Sequence, residues 1–211
     1  MKSTKIKQIQ IHAWCIYIPV LVFAFSLFAS FSTDEKVAEL QKYCFKNYGT
    51  KHLTDFIYVS INEQKLYFIQ NEKIVDSYPV STSKFGTGSL ANTNRTPIGL
   101  HYVRDKQGYN TPMNGILESG QYKGNIATIE YKAVDHDSDQ VTTRVLWLMG
   151  CEHGLNRGKE KDSYCRMIYI HGTPEEGLIG RPASHGCVRM RNADVLDLFN
   201  KTELGLYVLI R

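Results

Sequence analysis

From Asp55 onward the apolar residues fall in runs too short, and too rich in β-branched and aromatic side chains, to be helices. Residues 56–61, 66–69 and 74–80 are three such runs, separated by polar turns at 62–65 and 70–73. Connections this short join neighbouring antiparallel strands, so the spacing predicts a meander. Further strands are expected at 100–103, 142–149, 167–170, Val188–Met190 and 206–210, with a less regular candidate at 127–131. Residues 81–94 lack periodicity and read as a loop, and residues 104–139 are largely polar turns. Two helices are predicted. Thr33–Tyr48 has Thr33 as its cap, acids in its first turn and Gly49 at its end; Asn192–Lys201 has Asn192 as its cap, with Leu196 and Phe199 inward. Nine short strands with so little helix predict a mainly β fold, a β-sandwich or partly closed barrel.

Ahead of this domain, residues 13–31 form a run of 19 without a charged side chain. As a helix it would reach about 28 Å, close to the hydrocarbon thickness of a bilayer. Lys2, Lys5 and Lys7 precede the run, while Asp34 and Glu35 follow it, so the bulk of the chain is expected outside the inner membrane. A retained anchor is the favoured reading; cleavage near Ser30-Phe31-Ser32 is the alternative. The expected organisation is a signal-anchor or signal peptide at 1–32, a helical linker at 33–54 and one domain at 55–211. Those three lysines also supply most of the net charge of +4, which argues against a nucleic-acid partner.

Five cysteines must then be placed. Cys15 lies in the apolar run and reads as filler. Cys44, Cys151, Cys165 and Cys187 would face an oxidising compartment, where a Cys151–Cys165 disulfide is one expectation; spacing alone does not fix the pairing.

The segment with the most chemistry runs from 170 to 190. It contains a strand ending in His171, a Gly/Pro-rich loop, and Cys187 at the start of the next strand. Two strand ends can bring His171 and Cys187 side by side despite 16 residues of separation. A thiol needs a base to become a nucleophile, and imidazole is the usual one. N–H groups around Gly186 and Cys187 are candidates for an oxyanion hole. Competing readings are a disulfide half-cystine at Cys187, satisfied loop histidines, or zinc held by His171, His185 and Cys187. The last lacks a fourth ligand and any Cys-x-x-Cys pair.

His171-Gly172-Thr173, the heptad from Ser184 to Met190, and Asn192-Ala193-Asp194 resemble the signature of the L,D-transpeptidase catalytic domain family, as does Thr96-Pro97-Ile98-Gly99. The likeness extends over residues 55–211. It implies an L,D-transpeptidase-type β fold and a cofactor-free cysteine acyltransferase acting on peptidoglycan peptide stems. Cys187 would form a thioester with a tetrapeptide stem, releasing D-Ala, and His171 would move the protons. Gly172 would orient His171 through its backbone; Ser184, His185 and Gly186 would shape the loop. Arg189 would meet a stem carboxylate or serve in a structural ion pair. Tyr102 and Trp147 are candidates for a cleft wall, although strand aromatics are more often core. The long stretch between Gly99 and His171 leaves the acceptor open. Within it, Asp135, His136, Asp137 and Asp139 read as a solvated loop, not a metal site. The rival functions are an L,D-carboxypeptidase or hydrolase, in which water replaces the amine, and a non-catalytic wall-binding module. A sortase-like transferase fits the order and spacing of His171, Cys187 and Arg189 poorly.

Overall fold

In a computed structural model, which describes residues 33–49, 53–136 and 139–211, the first apolar run becomes a strand buried at every position. In chain order the elements are α1 (Thr33–Tyr48), β1 (Phe56–Ser60), β2 (Lys65–Gln70), β3 (Lys73–Pro79), β4 (Gly99–Gln107), β5 (Gly115–Glu118), β6 (Gln121–Ile126), β7 (Thr142–Gly150), β8 (Tyr169–Gly172), β9 (Val188–Met190), α2 (Asn192–Lys201) and β10 (Tyr207–Ile210). The segment expected to span the membrane, 1–32, lies outside the described residues; among the described residues no helix is long and apolar enough to cross one.

The strands form one mixed sheet. β3, β2, β1, β10, β4 and β7 lie side by side in that order, with β1 and β10 parallel and the other neighbours antiparallel. The far edge of β7 carries β8, and β9 runs parallel to β8. Just beyond β3, the backbones of Ser81 and Arg189 exchange two hydrogen bonds of 2.9 Å. The chain leaving β3 is therefore bridged to β9, and the sheet bends back on itself as a partly closed barrel.

Alternation along β1 explains its burial on both faces. Ile57 and Val59 point into a core shared with Phe68, Leu146, Ile170 and the α2 residues Val195, Leu198 and Phe199. Phe56 and Tyr58 point the other way, onto Val37, Leu40 and Cys44 of α1. The helix expected to be a linker thus covers the outer face of β1, β2 and β10. Burying Val37 and Leu40 contributes about 1.5–3 kcal/mol each. On α2 the inward positions are Val195, Leu198 and Phe199, one residue off the predicted Leu196.

Three further expectations need correction. Residues 127–131 are irregular, whereas β5 and β6 form a hairpin that was not predicted. Every residue of β6 is exposed, so no apolar alternation marks it. Asn192 does not cap α2 with its side chain; Glu176 Oε1 accepts the Asn192 N–H at 2.8 Å instead. Finally, Cys151 and Cys165 are both free, as are Cys44 and Cys187. Cys151 packs against the core beneath α1, while Cys165 is exposed beside Asp162, whose Oδ1 accepts its N–H at 3.1 Å.

Candidate active site

Strand alternation builds the site. Ile170, Val188 and Met190 fill the barrel interior, so their neighbours in sequence, Tyr169, His171, Cys187 and Arg189, project from the opposite face of the β8–β9 pair. The parallel register sets His171 opposite Arg189, and Cys187 precedes Arg189 by two residues on the same face. Cys187 Sγ accepts the Tyr169 N–H at 3.4 Å and donates to the Met167 carbonyl at 3.3 Å. A cleft of about 320 Å³ lined by Asn92, Asn94, Arg166, Met167 and His185 opens beside it.

His171 is 1% exposed. Its Nδ1 lies 2.7 Å from the Gly172 carbonyl, which can only accept, so Nδ1 carries the proton of the neutral ring. Nε2 is then the basic nitrogen, and it is buried with no hydrogen-bond partner among the described residues. Burial lowers the imidazole pKa, outweighing the Asp139 charge and the Gly172 bond that would raise it. The thiol moves the opposite way. Burial chiefly, and the Asp139 charge next, push Cys187 up to about 12, against the Tyr169 N–H bond and the charges of Arg189 and Arg166. At rest the thiol and the imidazole are therefore both neutral.

Arg189 is buried at the base of the site between two carboxylates. Its Nε–H donates to Asp139 Oδ1 at 2.7 Å and its Nη1–H to Glu175 Oε2 at 2.5 Å. Asp139 Oδ2 also accepts the His185 N–H at 3.1 Å, with His185 Nδ1 at 3.6 Å. Burial would raise the Asp139 pKa, but His171, once protonated in acid, and the charge of Arg189 hold it below the usual aspartate value. The stretch expected as a solvated loop is thus mixed. Asp135 pairs with Lys84 at the surface, at 2.6 Å; the His136 N–H reaches Glu175 at 2.7 Å; Asp139 turns inward; Asp137 lies outside the described residues. Glu175 was not singled out from the sequence, and Asp139 was named there only as part of a solvated loop. One signal was available for both: an arginine inside an otherwise apolar strand has to find carboxylates when it is buried.

The glycines and Ser184 shape this loop. Ser184 Oγ donates to the Cys187 carbonyl at 2.6 Å and accepts the Gly186 N–H at 3.2 Å. The Gly186 N–H, expected at an oxyanion hole, is therefore engaged within the loop. Gly186 has φ +123°, a region that side chains rarely enter. Gly186→Ala is expected to cost about 1–3 kcal/mol of stability and to displace Cys187; thermal unfolding together with the Cys187 alkylation rate would check both. At Gly172 a Cβ would lie 2.7 Å from Asn192 Oδ1 and 2.8 Å from the Thr142 carbonyl, so only glycine fits next to His171. Trp147 and Tyr102 are half-buried. The Trp147 ring stacks on Tyr164 at 4.2 Å and meets Tyr169 edge-on at 5.1 Å, forming a wall on the Cys187 side, while Tyr102 reaches Met149.

Comparison with known proteins gives consistent results. A family model described as the L,D-transpeptidase catalytic domain matches residues 54–210. Probable L,D-transpeptidase YbiS of Escherichia coli K12 is 49% identical over 43 residues, 20% of this chain and 14% of that protein. Putative L,D-transpeptidase YqjB of Bacillus subtilis is 44% identical over 45 residues, 21% of this chain and 26% of that protein. The chain thus matches only 14% to 26% of the length of these curated relatives. Among solved structures, the L,D-transpeptidase from Xylanimonas cellulosilytica superposes with a TM-score of 0.48 at 19% identity, covering 81% of this chain and 69% of the other. That from Mycobacterium smegmatis also gives 0.48, at 13% identity over 75% and 58%.

Proposed function

Because the chain belongs to the L,D-transpeptidase catalytic domain family, we propose that Cys187 accepts the acyl group of a peptidoglycan tetrapeptide stem and that His171 carries the protons. The observation that carries this reading is the unpartnered, buried Nε2 of His171 on the face that also presents Cys187. With the thiol at about 12 and the imidazole neutral, no thiolate waits in the resting site. The proton passes from Sγ to Nε2 as sulfur attacks, which is general-base catalysis. The imidazolium, facing the Asp139 charge, then protonates the nitrogen of the departing D-Ala and leaves a thioester. An amine from a second stem, deprotonated by His171, resolves the thioester to a 3-3 cross-link. Arg189 and the donors beside it are assigned to a stem carboxylate.

The uncharged run at 13–31, preceded by three lysines, supports export and attachment to the inner membrane, with the domain on the extracytoplasmic side. Incubation with tetrapeptide-rich sacculi, followed by muropeptide analysis, tests the reaction. New 3-3 dimers are expected. Tripeptides without dimers would assign water as the acceptor and make the protein a carboxypeptidase. His171→Gln is expected to lower the rate by about 10²–10⁴ while thermal unfolding stays near wild type. A variant that retained its rate would remove His171 as the base.

A further inference from the structure

Behind His171 the sheet is irregular, and one buried amide ties the irregular parts together. In the β7–β8 ladder Thr142 pairs with Gly172 and Val145 with His171, so Thr143 and Arg144 bulge out opposite the single step from His171 to Gly172. Thr143 has φ +63°, a left-handed conformation that is an outlier for a β-branched residue. Such strain persists only where the surroundings over-determine it, and it gathers at functional sites. Asn192, 1% exposed, supplies that constraint. Its Oδ1 accepts the Thr142 and Thr143 hydroxyls at 2.7 and 2.5 Å. Its Nδ2 donates to the Thr173 carbonyl and to Glu176 Oε1, each at 2.8 Å. A primary amide has two acceptor and two donor positions, so all four are used and the amide can face only one way. The Thr143 hydroxyl also accepts the Asn114 N–H at 2.9 Å, which leaves its proton for Asn192.

What this amide encloses is the peptide that orients the imidazole. The Gly172 carbonyl, which accepts the Nδ1 proton of His171, shares one rigid plane with the Thr173 N–H. That N–H donates to the Met190 carbonyl at 3.2 Å, while the Thr173 carbonyl is held by Asn192. On the other side, Gly172 lies so close to Asn192 Oδ1 and the Thr142 carbonyl that no Cβ fits. We propose that Asn192, with Thr142 and Thr143, is a positioning group for His171: it holds the Gly172–Thr173 peptide plane, and so keeps the proton on Nδ1 and Nε2 free as the basic nitrogen. The use of Nε2 as a base rests on the acyl-transfer reading above; the choice of tautomer does not.

The test reads the tautomer directly, from proton–nitrogen correlation spectra of the full chain carrying nitrogen-labelled histidine. Spectra are taken near pH 8, where His171 is neutral, and its signals are assigned by their loss in His171→Gln. Wild type should show the Nδ1–H form alone. Asn192→Asp keeps the side-chain shape but turns a carboxylate oxygen toward the Thr173 carbonyl and Glu176. It should populate the Nε2–H form and lower kcat on tetrapeptide stems about 10- to 100-fold with KM unchanged, as for a misoriented base. Thr143→Val, which deletes one hydroxyl and stays β-branched, should shift the tautomer the same way, and Thr143→Ser should restore it. A wild-type tautomer in both Asn192→Asp and Thr143→Val would overturn the proposal, as would a loss of turnover carried by KM alone. If Asn192→Asp fails to fold, Thr143→Val against Thr143→Ser decides. A merely structural Asn192 would lower the thermal transition and leave the tautomer of the folded protein as it is. Full turnover by His171→Gln would instead remove the base, an outcome the spectra do not depend on.

Discussion

Cys187→Ala is expected to eliminate acyl transfer while leaving the fold in place. Loss of a covalent nucleophile lowers turnover by a factor on the order of 10⁴ or more, since water and the remaining base cannot form the thioester. The stability cost should be small. Among the described residues Sγ makes two weak hydrogen bonds, with the Tyr169 N–H and the Met167 carbonyl, so about 1 kcal/mol is the expected loss. Two measurements check this. Muropeptide products from tetrapeptide-rich sacculi should vanish, and an acyl adduct formed on the wild-type protein by a carbapenem should be missing from the variant. Retained dimer formation by Cys187→Ala would place the nucleophile elsewhere.

Arg189→Met should have the largest effect on stability, about 3–5 kcal/mol, because it strands carboxylates in a buried site. Glu175 would lose its Nη1 partner and Asp139 its Nε partner, with both side chains still enclosed. Urea unfolding near neutral pH measures the loss. Changing Glu175→Gln and Asp139→Asn in the same chain should recover most of it, since the uncompensated charge is the cause. Acid gives a second check. The Asp139 pKa is held below its ordinary value of 3.8, so its stabilisation in wild type is complete above that value and is lost as pH falls through the lower folded one. In Arg189→Met the part of that depression due to Arg189 is lost while that of His171 remains, and the gap between the two proteins should narrow on acidification toward pH 4. A gap that stays constant with pH would point to lost packing of the long side chain instead.

Much of this architecture could be read from local pattern. Short runs of β-branched and aromatic residues mark β1 to β4, β7 and β10, and a period near four marks α1 and α2, because such local patterns express which surfaces of one element meet a core. Two strand ends joined by a Gly/Pro-rich loop allow His171 and Cys187 to come side by side, and Gly186 signals a backbone that other residues would strain. What alternation cannot show is what lies across the site from a given side chain. Hairpin β5–β6 was missed since its second strand buries nothing. The service of α1 as the second cover of β1 depends on a surface assembled from β1, β2 and β10. Asp139 reaches Arg189 across 50 positions of sequence, and no repeat connects them. Strand order, parallel register and the closure through Ser81 bring them together, and the need of a buried guanidinium for anions, met only in the folded chain, decides the pairing.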